Sequence, residues 1–180
     1  MLIKEVDDEL RGVIKHFRGT STLVVSRGQV HHLDKLPGYV VMQDDEVKAL
    51  ISYNIVDKKC EIVSLDSNVE NQGFGSSLIE SVIEKARNTG CKSIWLITSN
   101  ANIKAIRFYQ KRGFDMRVVH HNAIDEARKI KPSIPLTSED GIPIRHEIEF
   151  EKLLNSLGMI DFLTQARLFA GFHTLDFDDE

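Results

Sequence analysis

One segment of the sequence, residues 71–114, constrains the fold of this chain more than any other. It begins with a loop that contains two glycines: Asn71, Gln72, Gly73, Phe74, Gly75, Ser76 and Ser77. The loop leads into a helical pattern, then into an apolar run at residues 94–97, and then into a second helical pattern. Because parallel strands need such a crossover connection, the segment predicts a parallel strand pair within a larger sheet.

Apolar and β-branched runs before this segment predict four strands, at residues 22–26, 38–42, 47–56 and 60–65. The polar stretches between the last three runs are short enough for hairpin turns, at residues 43–46 and 57–59. These three strands therefore form an antiparallel meander that leads into the glycine loop. Residues 7–17 precede all four strands and have the spacing of an amphipathic helix.

The segment after the loop predicts a helix, a strand, a second helix and a further strand. The first helix runs from residue 76 and stops at residues 88–90, with Gly90 as a left-handed cap. Residues 93–98 form a central strand buried on both faces, and Ser99 or Asn100 caps the next helix. The final strand spans residues 114–120 and has four residues on one face: Phe114, Met116, Val118 and His120.

The C-terminal part carries fewer patterns. Residues 123–131 predict a short helix ended by Pro132, and residues 132–143 an extended loop. Residues 144–157 are compatible with a helix or with a strand that enters a helix. We therefore assign residues 1–157 to a single domain and residues 158–180 to a tail of unknown role.

The glycine loop has the composition of an anion-binding turn. Gly73 and Gly75 lack side chains, so backbone amides can approach an anion closely. The helix behind them presents unpaired N–H groups and the positive end of its dipole. Glycines before a helix also form plain turns, so the loop alone does not distinguish the two uses.

A second block, at residues 102–114, makes that distinction. It reads Asn-x-x-Ala-x-x-Phe-Tyr-x-x-x-Gly-Phe, with Asn102, Ala105, Phe108, Tyr109, Gly113 and Phe114. With both features, residues 38–120 resemble the GCN5-related N-acetyltransferase (GNAT) family, which transfers an acetyl group from acetyl-CoA to an amine. The family loop reads Arg/Gln-x-x-Gly-x-Gly/Ala, which Gly73 and Gly75 match. Glu70 departs from it and removes a positive or neutral contact near the pyrophosphate.

The resemblance implies an α/β fold of the mixed α+β kind. Its central sheet is mostly antiparallel, its two central parallel strands splay apart, and helices cover both faces. The resemblance also implies that acetyl-CoA binds as co-substrate. The pyrophosphate contacts fall on the loop, at Asn71, Gln72, Gly73, Phe74, Gly75 and Ser76. The pantetheine arm lies between the splayed strands, with main-chain contacts from Leu65, Asp66 and Ser67 and a side-chain amide contact from Asn102.

Tyr109 matches the family's frequent general acid. A phenol with a pKa near 10 can protonate a departing thiolate of similar basicity. Two alternatives stay open: Tyr109 is a core aromatic beside Phe108, and Asn102 is an ordinary residue of the first helical turn.

The resemblance implies a general base that is either a carboxylate on the strand before the loop or a chain of water molecules, and the local carboxylates are Glu61 and Asp66. Their positions differ by an odd number, so a regular strand places them on opposite faces. At most one of them then faces the substrate, unless a bulge intervenes. Solvated surface carboxylates are the alternative for both. Together with Glu70, they favour a cationic amine as acceptor.

Composition narrows the class further. The chain has 180 residues, of which 42% are hydrophobic and 28% charged, as in a soluble globular protein. The net charge of −4 offers no basis for binding nucleic acid, and no apolar run has membrane-spanning length. Cys60 and Cys91 lack metal-ligand spacing and indicate a cytoplasmic protein with reduced thiols. The histidine pairs at residues 31–32 and 120–121 point to opposite faces of a strand, so we predict no metal site.

The resemblance to the GNAT family implies an N-acetyltransferase that works by direct attack in a ternary complex on a small-molecule or protein amine. Neither cysteine is placed to carry an acyl group. A nucleotide-triphosphate enzyme is excluded because no Gly-Lys-Ser/Thr follows the loop. The alternative is a non-catalytic acyl-CoA-binding or regulatory module on the same fold. A homodimer is left open as an assembly.

Overall fold

A computed structural model describes residues 1–17, 22–69 and 71–154. Nine strands are present in these residues: β1 (Leu2–Glu5), β2 (Leu23–Ser26), β3 (Gln29–His32), β4 (Gly38–Gln43), β5 (Glu46–Val56), β6 (Lys59–Ser67), β7 (Ser93–Ser99), β8 (Asp115–His120) and β9 (Glu147–Leu153). The helices are α1 (Asp8–Phe17), α2 (Phe74–Asn88), α3 (Ile103–Gln110) and α4 (Ala123–Ile130). Glu70, residues 155–157 and the predicted tail at residues 158–180 lie outside the described residues.

Seven strands form one sheet in the order β1-β4-β5-β6-β7-β9-β8, and β2 and β3 form a separate hairpin. β6 and β7 pair in parallel, and all other neighbours in the seven-stranded sheet pair antiparallel. α2 connects the two parallel strands, as the helix-and-strand pattern after the loop predicts. The predicted fold class, a mixed and mostly antiparallel sheet with helices, is therefore confirmed.

Each face of the sheet is covered by a helix with an apolar stripe. The buried residues of α2 are Phe74, Leu78, Ile79, Val82, Ile83 and Ala86. They pack into the main core together with alternate residues of the central strands, such as Ile62 and Leu96. On the other face, Leu10 and Ile14 of α1 pack with Val40 and Leu50. Spacing of three and four residues sets both helical stripes.

The two parallel strands separate at their C-terminal ends, as predicted. Their register begins at Lys59–Ser93 and ends at Ile62–Leu96. Beyond that point β6 continues beside β5 and β7 continues beside β9, so a gap opens between them. β6 has a bulge at the same place. The adjacent residues Ser52 and Tyr53 of β5 pair with Ser64 and Ile62 of β6, which leaves one extra residue in β6. The extra residue bends β6 where the gap begins.

Two predicted details are wrong. α3 is capped by Asn102, whose side-chain oxygen accepts a hydrogen bond from the N–H of Ala105, and not by Ser99 or Asn100. β8 also contains a bulge, since Met116 pairs with Phe150 but Val118 pairs with Glu149. Met116 therefore does not share a face with Val118 and His120, because the bulge breaks the alternation that the sequence pattern assumed.

The segment at residues 144–157 forms the strand β9 in its described part, and it is inserted between β7 and β8. Ile148 and Phe150 of β9 are buried in the main core, which leaves the intervening glutamates on the other face. The sequence patterns missed β1 and β3, which are short. Within the described ranges, no helix is both long and apolar enough to cross a membrane.

Candidate active site

The glycine loop adopts the backbone conformation of an open helix N-terminus. Gly73 has a φ of +76° and directly precedes the first residue of α2. A Cβ atom built on Gly73 would meet no heavy atom within 4 Å, so open space adjoins the backbone here. The first turn of α2 contains no acidic residue that would occupy its unpaired N–H groups. This end of α2 is therefore available to an anion.

Gly75 has a different role from Gly73. A Cβ atom on Gly75 would lie 3.1 Å from Cζ of Phe108 and 3.6 Å from Cδ2 of Leu65. The start of α2 thus packs closely against α3, and a side chain at this position would require the Phe108 ring to shift. One glycine meets a backbone requirement and the other a packing requirement, which the spacing of the two glycines does not reveal.

A cation that the sequence analysis missed lies at the first turn of α2. Nε of Arg112 donates a hydrogen bond of 3.1 Å to the hydroxyl of Ser76, and its Nη1 donates one of 2.8 Å to the carbonyl of Phe108. The guanidinium also lies 3.4 Å from the ring centroid of Phe108. Arg112 directly precedes Gly113 in the block at residues 102–114, and that position in the sequence could have identified it. It places positive charge beside the loop although Glu70 does not.

The predicted pantetheine residues line the gap between β6 and β7. Leu65, Asp66 and Ser67 follow the last parallel pair: they pair with β5 and have no register partner on β7. This part of β6 therefore borders the gap where the arm is predicted to lie. Asn102 lies at the start of α3, and its Oδ1 atom is engaged as the helix cap at 3.1 Å. This is the structural role that the sequence analysis kept open for Asn102.

Tyr109 is buried in an aromatic cluster. Its ring centroid lies 5.2 Å from that of Phe108, 5.6 Å from that of Phe114 and 6.2 Å from that of Phe150. Burial, together with the negative charge of Asp66, raises the pKa of the Tyr109 phenol. The phenol therefore keeps its proton at neutral pH, as a general acid must before it donates.

Glu61 is a buried carboxylate with two polar neighbours from the β2–β3 hairpin. Glu61 is only 5% exposed. The hydroxyl of Ser26 donates a hydrogen bond of 2.7 Å to Oε1, and Nε2 of His31 lies 3.4 Å from Oε2. The second contact has the distance of an ion pair but not the geometry of a hydrogen bond. Burial raises the pKa of Glu61, and the contacts with Ser26 and His31 oppose that rise.

The bulge in β6 also decides how Glu61 and Asp66 are oriented. Glu61 pairs with Asn54 and Asp66 pairs with Leu50, and these partners are an even number of residues apart on β5. Because paired residues share a face, both carboxylates belong to the face that α1 covers. An unbulged strand would have placed them on opposite faces. A bulge is the exception that the alternation allows, and no local pattern in the sequence of β6 marks it.

Further carboxylates on the same face come from β9. Glu147 is 3% exposed, and one of its oxygens accepts a hydrogen bond of 3.2 Å from the backbone N–H of Arg27. Glu149 lies 3.6 Å from the Arg27 guanidinium and 2.8 Å from Nε2 of His120. Burial raises the pKa of Glu147. The alternation of glutamates at positions 147, 149 and 151 was the signal in the sequence, but it had no assigned strand.

A cavity of about 480 Å³ opens beside these carboxylates. Its lining includes Arg27, His120, Glu126, Lys129 and Glu147. The hairpin, the end of β8 and the helix α4 therefore border a pocket whose lining includes both acidic and basic side chains. Nowhere in the described ranges do three His, Cys, Asp or Glu side chains come together as a metal site.

Comparison with known proteins gives consistent matches. The family model described as acetyltransferase (GNAT) family matches residues 6–114. Over 142 residues the chain is 44% identical to YdhI, an uncharacterized protein of Bacillus subtilis strain 168, and the match covers 78% of this chain and 88% of that protein.

Solved structures match over most of the chain. The IAA acetyltransferase from Bacillus cereus ATCC 14579 has a TM-score of 0.66 and 18% identity, over 85% of this chain and 99% of that chain. An acetyltransferase of Bacillus subtilis in complex with CoA has a TM-score of 0.62 and 21% identity, over 85% of this chain and 98% of that chain. At these identities the two structures show a shared fold.

Proposed function

Because this chain belongs to the GNAT family of acetyltransferases, we propose that it transfers the acetyl group of acetyl-CoA to the nitrogen of a cationic amine. The observation that carries the proposal is the gap between β6 and β7, with the open N-terminus of α2 at the loop that follows β6. An extended thioester fits such a gap with its phosphates at the helix end. A protein with the same fold forms a complex with CoA, which supports CoA as the co-substrate.

The chemistry requires a base, a nucleophile and an acid. In the proposed mechanism the carboxylate of Glu61 takes a proton from the acceptor's ammonium group, and the freed nitrogen lone pair attacks the thioester carbonyl carbon. The new C–N bond forms as the C–S bond breaks, and the nitrogen then loses its second proton to water to give the neutral amide. The departing thiolate of CoA receives a proton from Tyr109, which regains one from water. Asp66 is the other candidate base.

Glu61 fits the role of base better than Asp66 on two observations. It is buried, and burial raises its pKa toward the neutral range in which general bases work best. It also lies on the hairpin side of the sheet, toward the cavity, because Ser26 bonds to Glu61 and the next residue of the hairpin, Arg27, lines the cavity. Asp66 is only half-buried.

The charges around the cavity favour a cationic acceptor. Arg27 is paired with Glu149, and Lys129 is paired with Glu126 at 2.6 Å. Glu147 forms no ion pair with a lysine or arginine among the described residues, although it is buried. An ammonium group of the acceptor would supply the charge that this carboxylate lacks, and a buried carboxylate gains most from such a partner.

The acceptor's charge is tested by a comparison of amines at a fixed concentration of acetyl-CoA, with thiol release as the signal. We expect thiol release with cationic primary amines such as 1,5-diaminopentane, slower release with neutral amines, and least with anionic amino acids. Rates should rise with pH, since both Glu61 and the amine must lose protons. Efficient acetylation of an anionic amine, with no cationic substrate found, would contradict the acceptor class and leave acetyl transfer standing.

The same panel separates an enzyme from a non-catalytic acyl-CoA-binding module, which is the second candidate function. The burial of Tyr109 among three aromatic rings is the observation that favours the module. A module would bind CoA in a calorimetric titration and release no thiol with any amine. Thiol release above the rate without protein would exclude it.

We expect Gly73→Ala to weaken CoA binding by about tenfold or more, which corresponds to about 1.4 kcal/mol. The added methyl group would occupy the open space beside the loop amides. Gly90→Ala is a matched control, because Gly90 also has a φ of +76° and open space, at the other end of α2. Both variants carry a similar backbone strain of about 1–2 kcal/mol. Equal CoA affinity of the two folded variants would remove the loop from the site.

A further inference from the structure

The β2–β3 hairpin buries polar side chains and exposes an apolar one. His31 is 7% exposed and Ser26 is 5% exposed, whereas Val30 is 42% exposed. Burial of apolar area alone would turn Val30 inward and His31 outward, because a shift of one residue exchanges the two faces of a strand. A polar interaction therefore outweighs that preference. Both buried polar side chains contact the same group, the carboxylate of Glu61.

The tip of the hairpin is anchored to the same sheet face. Arg27 and Gly28, with φ values of 48° and 73°, form its two-residue turn. The N–H of Arg27 bonds to Glu147, and its guanidinium lies 5.4 Å from the ring centroid of Trp95. Ser26 directly precedes this anchored turn, so its hydroxyl is held in place next to Glu61.

The two carboxylate oxygens of Glu61 contact different partners. Oε1 accepts the hydroxyl proton of Ser26, which fixes the plane of the carboxylate. Oε2 faces Nε2 of His31, and this buried nitrogen has no hydrogen-bond partner in the described part of the chain. Oε2 is therefore the oxygen with capacity for the proton of an incoming ammonium group.

We infer that Ser26 and His31 are positioning residues that orient Glu61 and hold it in its ionised form for proton transfer from the acceptor. The inference rests on the proposed function, in which Glu61 is the base. It makes the hairpin part of the reaction centre and not merely a cover over the sheet. A hydroxyl donor and an imidazole both stabilise the charged carboxylate more than the neutral acid.

Other charged groups also act on Glu61. Arg27 lowers its pKa, and Glu149 raises it. Because these groups are the same in wild type and in variants at positions 26 and 31, the effect of the hairpin contacts can be isolated. Loss of either contact should raise the pKa of Glu61, since each contact favours the charged form.

The test is a titration of glutamate carboxyl groups by NMR, with the side-chain carboxyl carbon labelled and the Glu61 signal assigned by its absence in Glu61→Gln. We expect the midpoint to rise by about half a pH unit or more in Ser26→Ala and in His31→Leu. Ser26→Thr should restore the wild-type midpoint, because it retains a hydroxyl. His32→Leu is the matched control, since His32 lies on the exposed side of β3.

Circular dichroism identifies the folded variants, and the two positions test the inference independently if one variant does not fold. An unchanged midpoint in both folded variants, or an equal rise in His32→Leu, would overturn the inference.

The titration needs no acceptor, so it is separate from the test of acetyl transfer. If no amine supports thiol release, the proposed function fails on its own. With an active amine, the pH at which the rate of acetyl transfer rises should increase in each variant by the same amount as the Glu61 midpoint.

Discussion

Glu61→Gln should lower the rate of acetyl transfer at neutral pH by about a hundredfold or more, which is the usual contribution of general base catalysis. The amide cannot accept the acceptor's proton, and it leaves the shape of the site unchanged. CoA binding should stay within about twofold of wild type, because the loop and the gap do not include this side chain. The measurement is single-turnover transfer to a cationic amine, with CoA affinity determined separately.

The control for this variant is Asp66→Asn, which removes the other candidate base. We expect a small effect on the rate if Glu61 is the base, and the reverse ranking of the two variants would assign the role to Asp66. The stability of Glu61→Gln at neutral pH should equal or exceed that of wild type. Folding raises the pKa of Glu61, so the free energy of unfolding of wild type falls as the pH rises through that pKa. Glutamine does not ionise, so the variant does not lose this stability.

We expect Tyr109→Phe to slow acetyl transfer by about a hundredfold, since it keeps the ring and removes only the proton donor. The ring packs against Phe108, Phe114 and Phe150, so the aromatic cluster and the fold should persist. Burial raises the pKa of this phenol, and Tyr109 therefore remains the protonated donor across the pH range in which the base ionises.

Tyr39→Phe is the matched control for the phenol. Tyr39 is half-buried on β4, which β5 separates from β6, and its ring stacks on Tyr53 with centroids 6.0 Å apart. Loss of its hydroxyl should leave the rate unchanged. If Tyr109→Phe also stays within about twofold of wild type, Tyr109 is a packing residue and the thiolate takes its proton from elsewhere.

The sequence by itself determined the features that depend on neighbours along the chain. The apolar spacing of residues 76–88 predicted α2, and the apolar run at residues 94–97 predicted β7. Gly90 has the left-handed conformation expected of a helix cap. Helical and strand periodicities, caps and turns are local, so a single sequence records them. The loop and the block at residues 102–114 also identified the family.

Only the tertiary structure decided what surrounds Glu61. Ser26 lies 35 positions before it in the chain, and the carboxylates of β9 come from a segment that had no assigned strand. The bulge in β6 placed Glu61 and Asp66 on one face, against the alternation that their spacing predicted. Registers, bulges and contacts between distant segments are set by the packing of the whole sheet. Local patterns carry no record of that packing, and the site's charges follow from it.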